Sequence, residues 1–178
     1  MKKKCLDDKV NMTSKFLSGE ISLILDKVID AEGKGSVKER GRYYDFSDGE
    51  SVHSRYAVGD VVAVAMSYRD AKMDQDVWGG TAGWLDKSQV NAAYMPYRFV
   101  VERVRCLRVR DLTEEEVLRA GVKKNLGGNY LVGGVVGGFD RDWRVMFGRL
   151  FDRRSKVPYA MNPWVIVYDV TPVIGRAQ

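Results

Sequence analysis

The chain has 178 residues, of which 45% are hydrophobic and 30% are charged. This length and composition suit one packed domain, and they exclude two large independent cores and wholesale disorder. No apolar run approaches the roughly 20 residues of a transmembrane helix, and the polar residues after Lys2–Lys4 do not resemble a signal peptide. We therefore expect a cytoplasmic protein with no membrane partner. The formal net charge of +5 favours anionic partners without specifying nucleic acid.

Metal and thiol chemistry have few residues to draw on. Cys5 and Cys106 form no pattern that predicts a disulfide, and His53 is the only histidine. Neither a Cys/His zinc site nor a histidine-based triad is easily built from this set. We therefore predict no metal and no other cofactor, and we interpret His53 as a core or surface residue.

The N-terminal third predicts a tail, a helix and a basic turn. Residues 1–13 are polar and predict a flexible tail, followed by a single domain over 14–178. Ser18 is the expected N-cap of the first helix. The turn that follows, GKGSVKER at residues 33–40, mixes cations with glycines. The helix is predicted because its apolar residues recur on one helical face, namely Leu17, Ile21, Ile24, Leu25 and Val28.

The middle of the chain predicts a central strand and an insertion. Residues 61–68 are apolar on both faces of a strand, which is typical of a strand inside a sheet. Residues 70–95 lack a sustained period and contain Trp78 and Trp84. We interpret them as a long insertion that the two tryptophans pack against the domain.

The strand over residues 97–110 predicts strong curvature. Its apolar residues change parity between Cys106 and Leu107. One face can bury both sets only if a bulge intervenes near Cys106. Bulged, curved strands are typical of small barrels.

Two further patterns occupy the next segment. Thr113 and Glu116 form a capping box that begins a short helix extending through Ala120. The glycine-rich segment 121–139 contains neither common nucleotide-binding loop motif, so we interpret it as an insertion that forms a hairpin or flap.

The last third predicts one helix and one buried strand. The helix has an apolar stripe from Trp143 to Phe151, with arginines off the stripe. The strand begins at Pro163, where a missing N–H is least costly. All elements together predict an α+β fold, a small curved β-barrel with about three flanking helices.

Several of these strings, in this order, resemble the ASCH domain of the PUA-like superfamily, closest to phage and prophage proteins of that type. The first predicted helix leads into a turn that contains glycine, lysine and arginine, and VGD at Val58–Asp60 introduces a strand. RVRDLTEEEVLRAGV is similar to the family's strand and short helix. FGRLFD followed by MNPWVIVYDV is similar to its closing helix and strand. The resemblance covers residues 16–174.

The resemblance implies a cleft beside the first helix in which RNA, a nucleotide or a modified base binds. One branch of the family hydrolyses N4-acetylcytidine, using a lysine and a threonine of the turn and a glutamate of the short helix. With Gly33 as the motif glycine, those three positions hold Gly35, Lys38 and Ala120. None of the changes is conservative. We therefore expect an anion-binding module without catalysis.

The basic turn and the residues after it form the expected binding site. Backbone N–H groups and cations suit a phosphate, and adjacent tyrosines suit stacking on an unpaired base. The competing interpretation is a solvated charged loop. We predict no catalytic residue, and the expected ligand-binding residues are Lys34, Ser36, Lys38, Arg40, Arg42, Tyr43, Tyr68 and Arg69.

Two alternative functions stay open, and a second basic run has two possible roles. The chain could be a hydrolase of RNA or nucleobases with a site rearranged around Lys34, Lys38 or Glu39. It could also be a protein-interaction factor of a phage or mobile element, with contacts from the tryptophan insertion and the glycine-rich segment. A second basic run favours either edge protection or nucleic-acid contact, and it consists of Arg103, Arg105, Arg108 and Arg110.

Overall fold

The computed structural model describes residues 1–6, 12–29, 34–132 and 138–174, which form a mixed α+β fold with three sheets. The strands are β1 (Lys2–Cys5), β2 (Leu23–Ile29), β3 (Val37–Arg40), β4 (Tyr43–Phe46), β5 (Ser51–His53), β6 (Val61–Ala65), β7 (Tyr97–Arg108), β8 (Val122–Lys124), β9 (Tyr130–Val132), β10 (Phe139–Asp140) and β11 (Trp164–Ile174). The helices are α1 (Met12–Leu17), α2 (Gln75–Trp78), α3 (Glu114–Arg119) and α4 (Trp143–Arg154).

The central sheet has five strands in the order β1-β6-β7-β11-β2. The β1–β6 pair is parallel, and the other neighbours are antiparallel. β6 is an internal strand, which confirms the prediction from its two apolar faces. Pro172 lies in β11 beyond Asp169, the last residue of that strand paired with β2. Its missing N–H therefore interrupts no ladder on that side.

The two edges of the central sheet face each other. Lys4 Nζ, on β1, lies 2.8 Å from Asp26 Oδ1, on β2. Neighbouring strands are spaced by about 4.8 Å, so a flat five-stranded sheet would hold its edges roughly 19 Å apart, beyond the reach of these side chains. The sheet is therefore strongly curved. No hydrogen-bonded ladder joins β1 to β2 in the described residues, and these strands do not form a closed barrel.

One large core unites the central sheet with α1, α3, α4 and the small sheets. Phe16 of α1 meets Phe99 of β7 edge-on, with ring centroids 5.5 Å apart. A second, smaller cluster surrounds the insertion at residues 70–95. There the Trp78 ring lies 4.7 Å from Tyr68 and 4.8 Å from Tyr94, which confirms that the insertion packs down.

The helix predicted over residues 17–28 is wrong. α1 ends at Leu17, Gly19 has a φ of 77°, and Leu23–Ile29 form β2 instead. Ser18 is not an N-cap, because its Oγ donates to the carbonyl of Lys15 after the helix has ended. The run from Leu23 is apolar on both faces, and a short apolar run fits either helix or strand spacing. Pairing with β11 decides in favour of the strand.

The predicted flexible tail is wrong for Lys2–Cys5, which pair in register with Val62–Ala65. The cationic side chains of this strand have partners elsewhere in the fold. Lys3 Nζ donates to the carbonyl oxygens of Ser88 at 2.7 Å and Val90 at 2.6 Å. A strand whose side chains are mostly lysine has no apolar pattern, so sequence periodicity could not reveal it.

The bulge predicted near Cys106 is wrong, because the pairing of β7 with β11 is continuous from Arg103 to Arg108. The strand has a bulge farther upstream. Asp169 of β11 pairs with Arg103, and the next residue, Val170, pairs with Val101. Glu102 is therefore the extra residue. Such an extra residue inverts the alternation of faces, so the apolar residues before and after it share one side of the sheet.

Three local predictions are confirmed. Glu116 N donates to Thr113 Oγ1 at 3.3 Å, and Thr113 N donates to Glu116 Oε2 at 2.9 Å, as the capping box requires. The α4 stripe is buried from Met146 to Phe151. The glycine-rich segment contains the β8–β9 hairpin, with β10 paired to β9. Its residues 133–137 lie outside the described residues.

None of the helices in the described ranges has the length and apolar character that crossing a membrane requires.

Candidate nucleic-acid interface

β3, β4 and β5 form a small antiparallel sheet with one core side and one open side. Tyr44 and Phe46 point to the core and are almost fully buried. Because side chains alternate along a strand, their neighbours point the other way. We name this open side the hairpin face, and it consists of Lys38, Arg40, Tyr43, Asp45, Ser51 and His53.

On the hairpin face, the aromatic ring of Tyr43 lies between Arg40 and His53. The Tyr43 ring is 49% exposed, and its centroid lies 6.1 Å from that of His53. The guanidinium carbon of Arg40 lies 5.5 Å from the centroid of Tyr43. Register places Arg40 opposite Tyr43 and Tyr43 opposite His53, so the three side chains form a row across the strands.

Asp45 orients this row. Arg40 Nε donates to Asp45 Oδ2 at 3.0 Å, and Ser51 Oγ donates to Asp45 Oδ1 at 2.6 Å. These hydrogen bonds, first from Arg40 and then from Ser51, hold the pKa of Asp45 below its ordinary value. Lys38 stands opposite Asp45 on the neighbouring strand and is exposed. The face therefore keeps exposed cations beside an exposed ring.

Lys34 does not join this face. Its Nζ lies 2.8 Å from Glu50 Oε2 and 2.9 Å from Asp48 Oδ2, and only 10% of its side chain is exposed. Hydrogen bonds from Glu50 and then Asp48 raise the pKa of Lys34 to about 12. A phosphate would have to displace two carboxylates. The expected convergence of Lys34 with Lys38 and Arg40 on one anion is not what the structure shows.

The turn around Lys34 is filled by contacts within the protein. Gly35 N and Ser36 N donate to Ser47 Oγ at 3.0 and 3.3 Å. The carbonyl of Lys34 accepts from Arg108 Nη2 at 2.5 Å and from Trp164 Nε1 at 3.1 Å. The backbone donors expected to bind a phosphate thus bind a serine hydroxyl. Gly33 lies outside the described residues.

Tyr68 and Arg69 belong to another part of the molecule. Tyr68 is only 4% exposed, and its hydroxyl accepts from Asn91 N at 2.9 Å. Tyr68 is therefore not available for the predicted stacking on a base, because the second cluster encloses its ring. The Arg69 side chain is 62% exposed and lies 3.9 Å from Asp70.

Arg42 lies at the edge of the hairpin, and its guanidinium donates to backbone oxygens. Arg42 Nη2 donates to the carbonyls of Ser54 at 2.9 Å and Arg55 at 2.8 Å. The side chain thereby joins β4 to the segment after β5, while its charge stays at the protein surface. Arg42 thus adds positive potential beside the hairpin face.

Three of the four arginines of the second basic run bind carboxylates or carbonyls, whereas Arg103 is exposed. Arg105 lies 2.5 Å from Glu116 Oε1 and 3.1 Å from Asp169 Oδ2, and Arg119 lies 2.7 Å from Asp169 Oδ1. We name these four residues the arginine–carboxylate network. Burial alone would raise the pKa of Glu116, but hydrogen bonds from the Thr113 N–H and from Arg105 bring it below its ordinary value.

Arg108 and Arg110 complete this structural use of the second run. The guanidinium of Arg108 lies 4.6 Å from the Trp164 ring and donates to the carbonyl of Asn162 at 3.1 Å. Arg110 lies 5.5 Å from the Tyr159 ring and donates to the carbonyl of Ala160 at 2.9 Å. These contacts therefore hold the end of β7 and the residues after it against residues 159–164, a role that the sequence pattern does not reveal.

The three positions that the resemblance aligns with the catalytic residues of the N4-acetylcytidine hydrolases lie in different environments. Gly35 is part of the turn, Lys38 is exposed on β3, and Ala120 is 1% exposed at the end of α3. A buried methyl group can neither orient nor transfer a proton. Among the described residues, no group of three potential metal ligands is found.

No protein-family model, curated protein or solved structure matches this chain. The geometry therefore defines a mixed α+β protein with a basic and aromatic face on one of its two three-stranded antiparallel sheets.

Proposed function

We propose that this chain is a non-catalytic binding module for single-stranded RNA or a nucleotide, and that the hairpin face is its binding surface. One observation carries the proposal, the half-exposed Tyr43 ring between Arg40 and His53 on an open sheet. An exposed ring beside cations is the arrangement on which unpaired bases stack while their phosphates meet positive charge. Lys38 extends the positive potential along β3.

We also propose that the chain folds as a PUA-like barrel of the ASCH type. Support comes from the strong curvature that brings Lys4 and Asp26 together. Further support comes from the contact between the closing motif and the basic turn, where Trp164 donates to the carbonyl of Lys34. Two strings that are far apart in sequence, and that both carry the resemblance, thus meet in the fold.

The absence of catalysis rests on residue identity. The positions of the family's lysine, threonine and glutamate hold Gly35, Lys38 and Ala120. We expect no hydrolysis of N4-acetylcytidine, measured by chromatography at high protein concentration. Turnover that disappears in Lys38→Ala but persists in Arg149→Ala would contradict this part of the proposal.

RNA titration tests the binding surface directly. A labelled single-stranded RNA is titrated at low salt with the wild type, Tyr43→Ala, Arg40→Ala and Arg149→Ala. The stacking of a base on an aromatic ring contributes binding free energy. Its loss in Tyr43→Ala should therefore weaken RNA binding by about tenfold or more. Arg40→Ala should weaken it by about tenfold. Arg149 is exposed on α4, outside the hairpin face, and its loss should change little.

Salt dependence supplies an independent readout. The logarithm of affinity should fall linearly with the logarithm of salt concentration, with a shallow slope for the few phosphates neutralised. The slope should flatten in Arg40→Ala and stay unchanged in Arg149→Ala. If the wild type binds no RNA and no nucleotide at low salt, or if all three variants bind alike, the hairpin face is an ordinary charged surface.

Exposed apolar residues on the tryptophan insertion favour a second candidate, a protein-interaction factor. Val77 is 67% exposed and Leu85 is 66% exposed, each next in sequence to a tryptophan that packs in the second cluster. Contiguous exposed apolar patches mark protein-binding surfaces, and these two side chains are the candidates for such a patch. A pull-down from host extract should recover a partner with the wild type and lose it with the double variant Val77→Asp and Leu85→Asp.

A further inference from the structure

A cleft of about 610 Å³ lies between the edge strands β1 and β2 and the C-terminal half of α4. It occupies the seam across which the two edges of the central sheet face each other. Small-molecule sites commonly measure roughly 300–1,000 Å³ and are lined mainly by apolar side chains. The apolar lining here includes Leu6, Leu25, Val28, Phe147, Phe151 and Val157.

Positive charge gathers at the rim of this cleft. Four of the lining residues are basic, Lys4, Arg153, Arg154 and Lys156, and Asp26 is the acidic one. Lys4 and Asp26 form an ion pair at 2.8 Å and largely cancel each other. The other three basic residues lie within four positions of one another, at and just after the end of α4.

The chain around Ser155 fixes the wall that carries these cations. Ser155 N donates to the carbonyl of Phe151 at 2.9 Å, which ends α4. Ser155 Oγ donates to the carbonyl of Val157 at 2.7 Å, and Val157 N donates back to Ser155 Oγ at 3.0 Å. Lys156 is exposed between these two fixed residues. Lys156 therefore lines the cleft from a stretch of chain that is fixed on both sides.

We propose that this seam cleft binds a small organic anion, in which one carboxylate, sulfonate or phosphate group is attached to an apolar body. The apolar body would occupy the volume between the strands and α4, where it leaves water. The acidic group would meet Lys156 and the other basic side chains that line the cleft, because charges of opposite sign attract. The seam cleft shares no residue with the hairpin face, so this site is independent of RNA binding.

The probe for this proposal is 8-anilino-1-naphthalenesulfonate, an apolar anion whose fluorescence rises in apolar sites. Titration of the folded full chain should give saturable binding with one site. Lys156→Glu should weaken binding by about tenfold, because it reverses a charge at the rim. The matched control is Arg141→Glu, an equal charge change at an exposed residue that does not line the cleft, and it should change affinity less than about twofold.

Two further arms separate this site from general dye binding. The uncharged probe N-phenyl-1-naphthylamine should bind the wild type and Lys156→Glu equally, since it carries no acidic group. Val157→Trp should fill the cleft and abolish binding of both probes, with circular dichroism confirming the fold. Equal weakening by Lys156→Glu and Arg141→Glu would overturn the proposal. Unchanged affinity in Val157→Trp would also overturn it.

Discussion

The two basic runs of this chain look alike in sequence, but Lys38 and Arg40 of the first are exposed, whereas Arg105 and Arg108 of the second are half-buried. Residues 34–42 and residues 103–110 each hold four cations within nine positions or fewer. In the first run, Lys38 and Arg40 stand on an open face beside an exposed ring. In the second, Arg105 is held by two carboxylates, while Arg108 lies on Trp164. A count of cations in the sequence therefore does not distinguish a proposed binding surface from cations that stabilise the fold.

The difference follows from the position of the strands. β7 lies between β6 and β11 in the central sheet, so its long side chains meet α3 and the closing strand. The strands β3, β4 and β5 form a peripheral sheet, and one of its faces is covered by nothing in the described residues. Cations on an enclosed strand need partners because an unpaired buried charge is costly, whereas cations on an open strand remain hydrated.

The largest expected effect is on stability and comes from Arg105. Arg105→Ala removes the ion-pair partner of Glu116 and one of the two partners of Asp169, which keeps Arg119; both carboxylate side chains are at most 15% exposed. Breaking an ion pair that is this enclosed should lower the free energy of unfolding by about 2–4 kcal/mol. Urea denaturation followed by circular dichroism measures the change. A decrease in the free energy of unfolding of less than about 1 kcal/mol would contradict the inference that the second run stabilises the fold while the first does not.

Acid should weaken the same network. The pKa of Glu116 lies below its ordinary value in the folded protein, so the folded state favours the charged form more than the unfolded state does. Its stabilising contribution is present above the unfolded pKa of about 4.3 and is lost as pH falls through the folded pKa. Between pH 5 and pH 3, the wild type should lose more stability than Glu116→Gln. Parallel losses would contradict the ionised network.

An intermediate effect is expected from Arg108. Arg108→Ala removes hydrogen bonds to the carbonyls of Lys34 and Asn162 together with the contact on Trp164. The carbonyl of Lys34 keeps its bond from Trp164 Nε1, so the loss should be smaller than for Arg105, at about 1–2 kcal/mol. The midpoint of urea denaturation should fall accordingly. A loss as large as that of Arg105→Ala would show that this contact is the main fastening.

The smallest stability effect should come from the hairpin face. Lys38→Ala removes an exposed cation from a peripheral strand and should change the free energy of unfolding by no more than about 0.5 kcal/mol. The same variant should weaken RNA binding at low salt by several-fold, because it removes one cation from the proposed surface. Paired urea and RNA titrations of Lys38→Ala and Arg105→Ala would therefore separate a binding run from a structural one. A large loss of stability in Lys38→Ala would contradict that separation.

Some elements could be predicted from the sequence, because the residues that specify each of them lie close together in the chain. The capping box of Thr113 and Glu116 began α3, the apolar stripe after Trp143 formed α4, and the two-sided apolar run formed the internal strand β6. In each case the residues that specify the element lie within a few positions of one another. Their hydrogen bonds or burial follow from one helical turn or one strand pleat.

Features that depend on partners far away in the sequence became visible in the folded chain. Leu23–Ile29 became a strand because β11 was there to pair with, and Lys2–Cys5 became one because β6 was. Tyr68 was enclosed by the insertion, and Lys34 was paired with two carboxylates from the far end of its own hairpin. Short apolar runs and cations carry no local record of their partners, since pairing energy between distant segments outweighs local propensity.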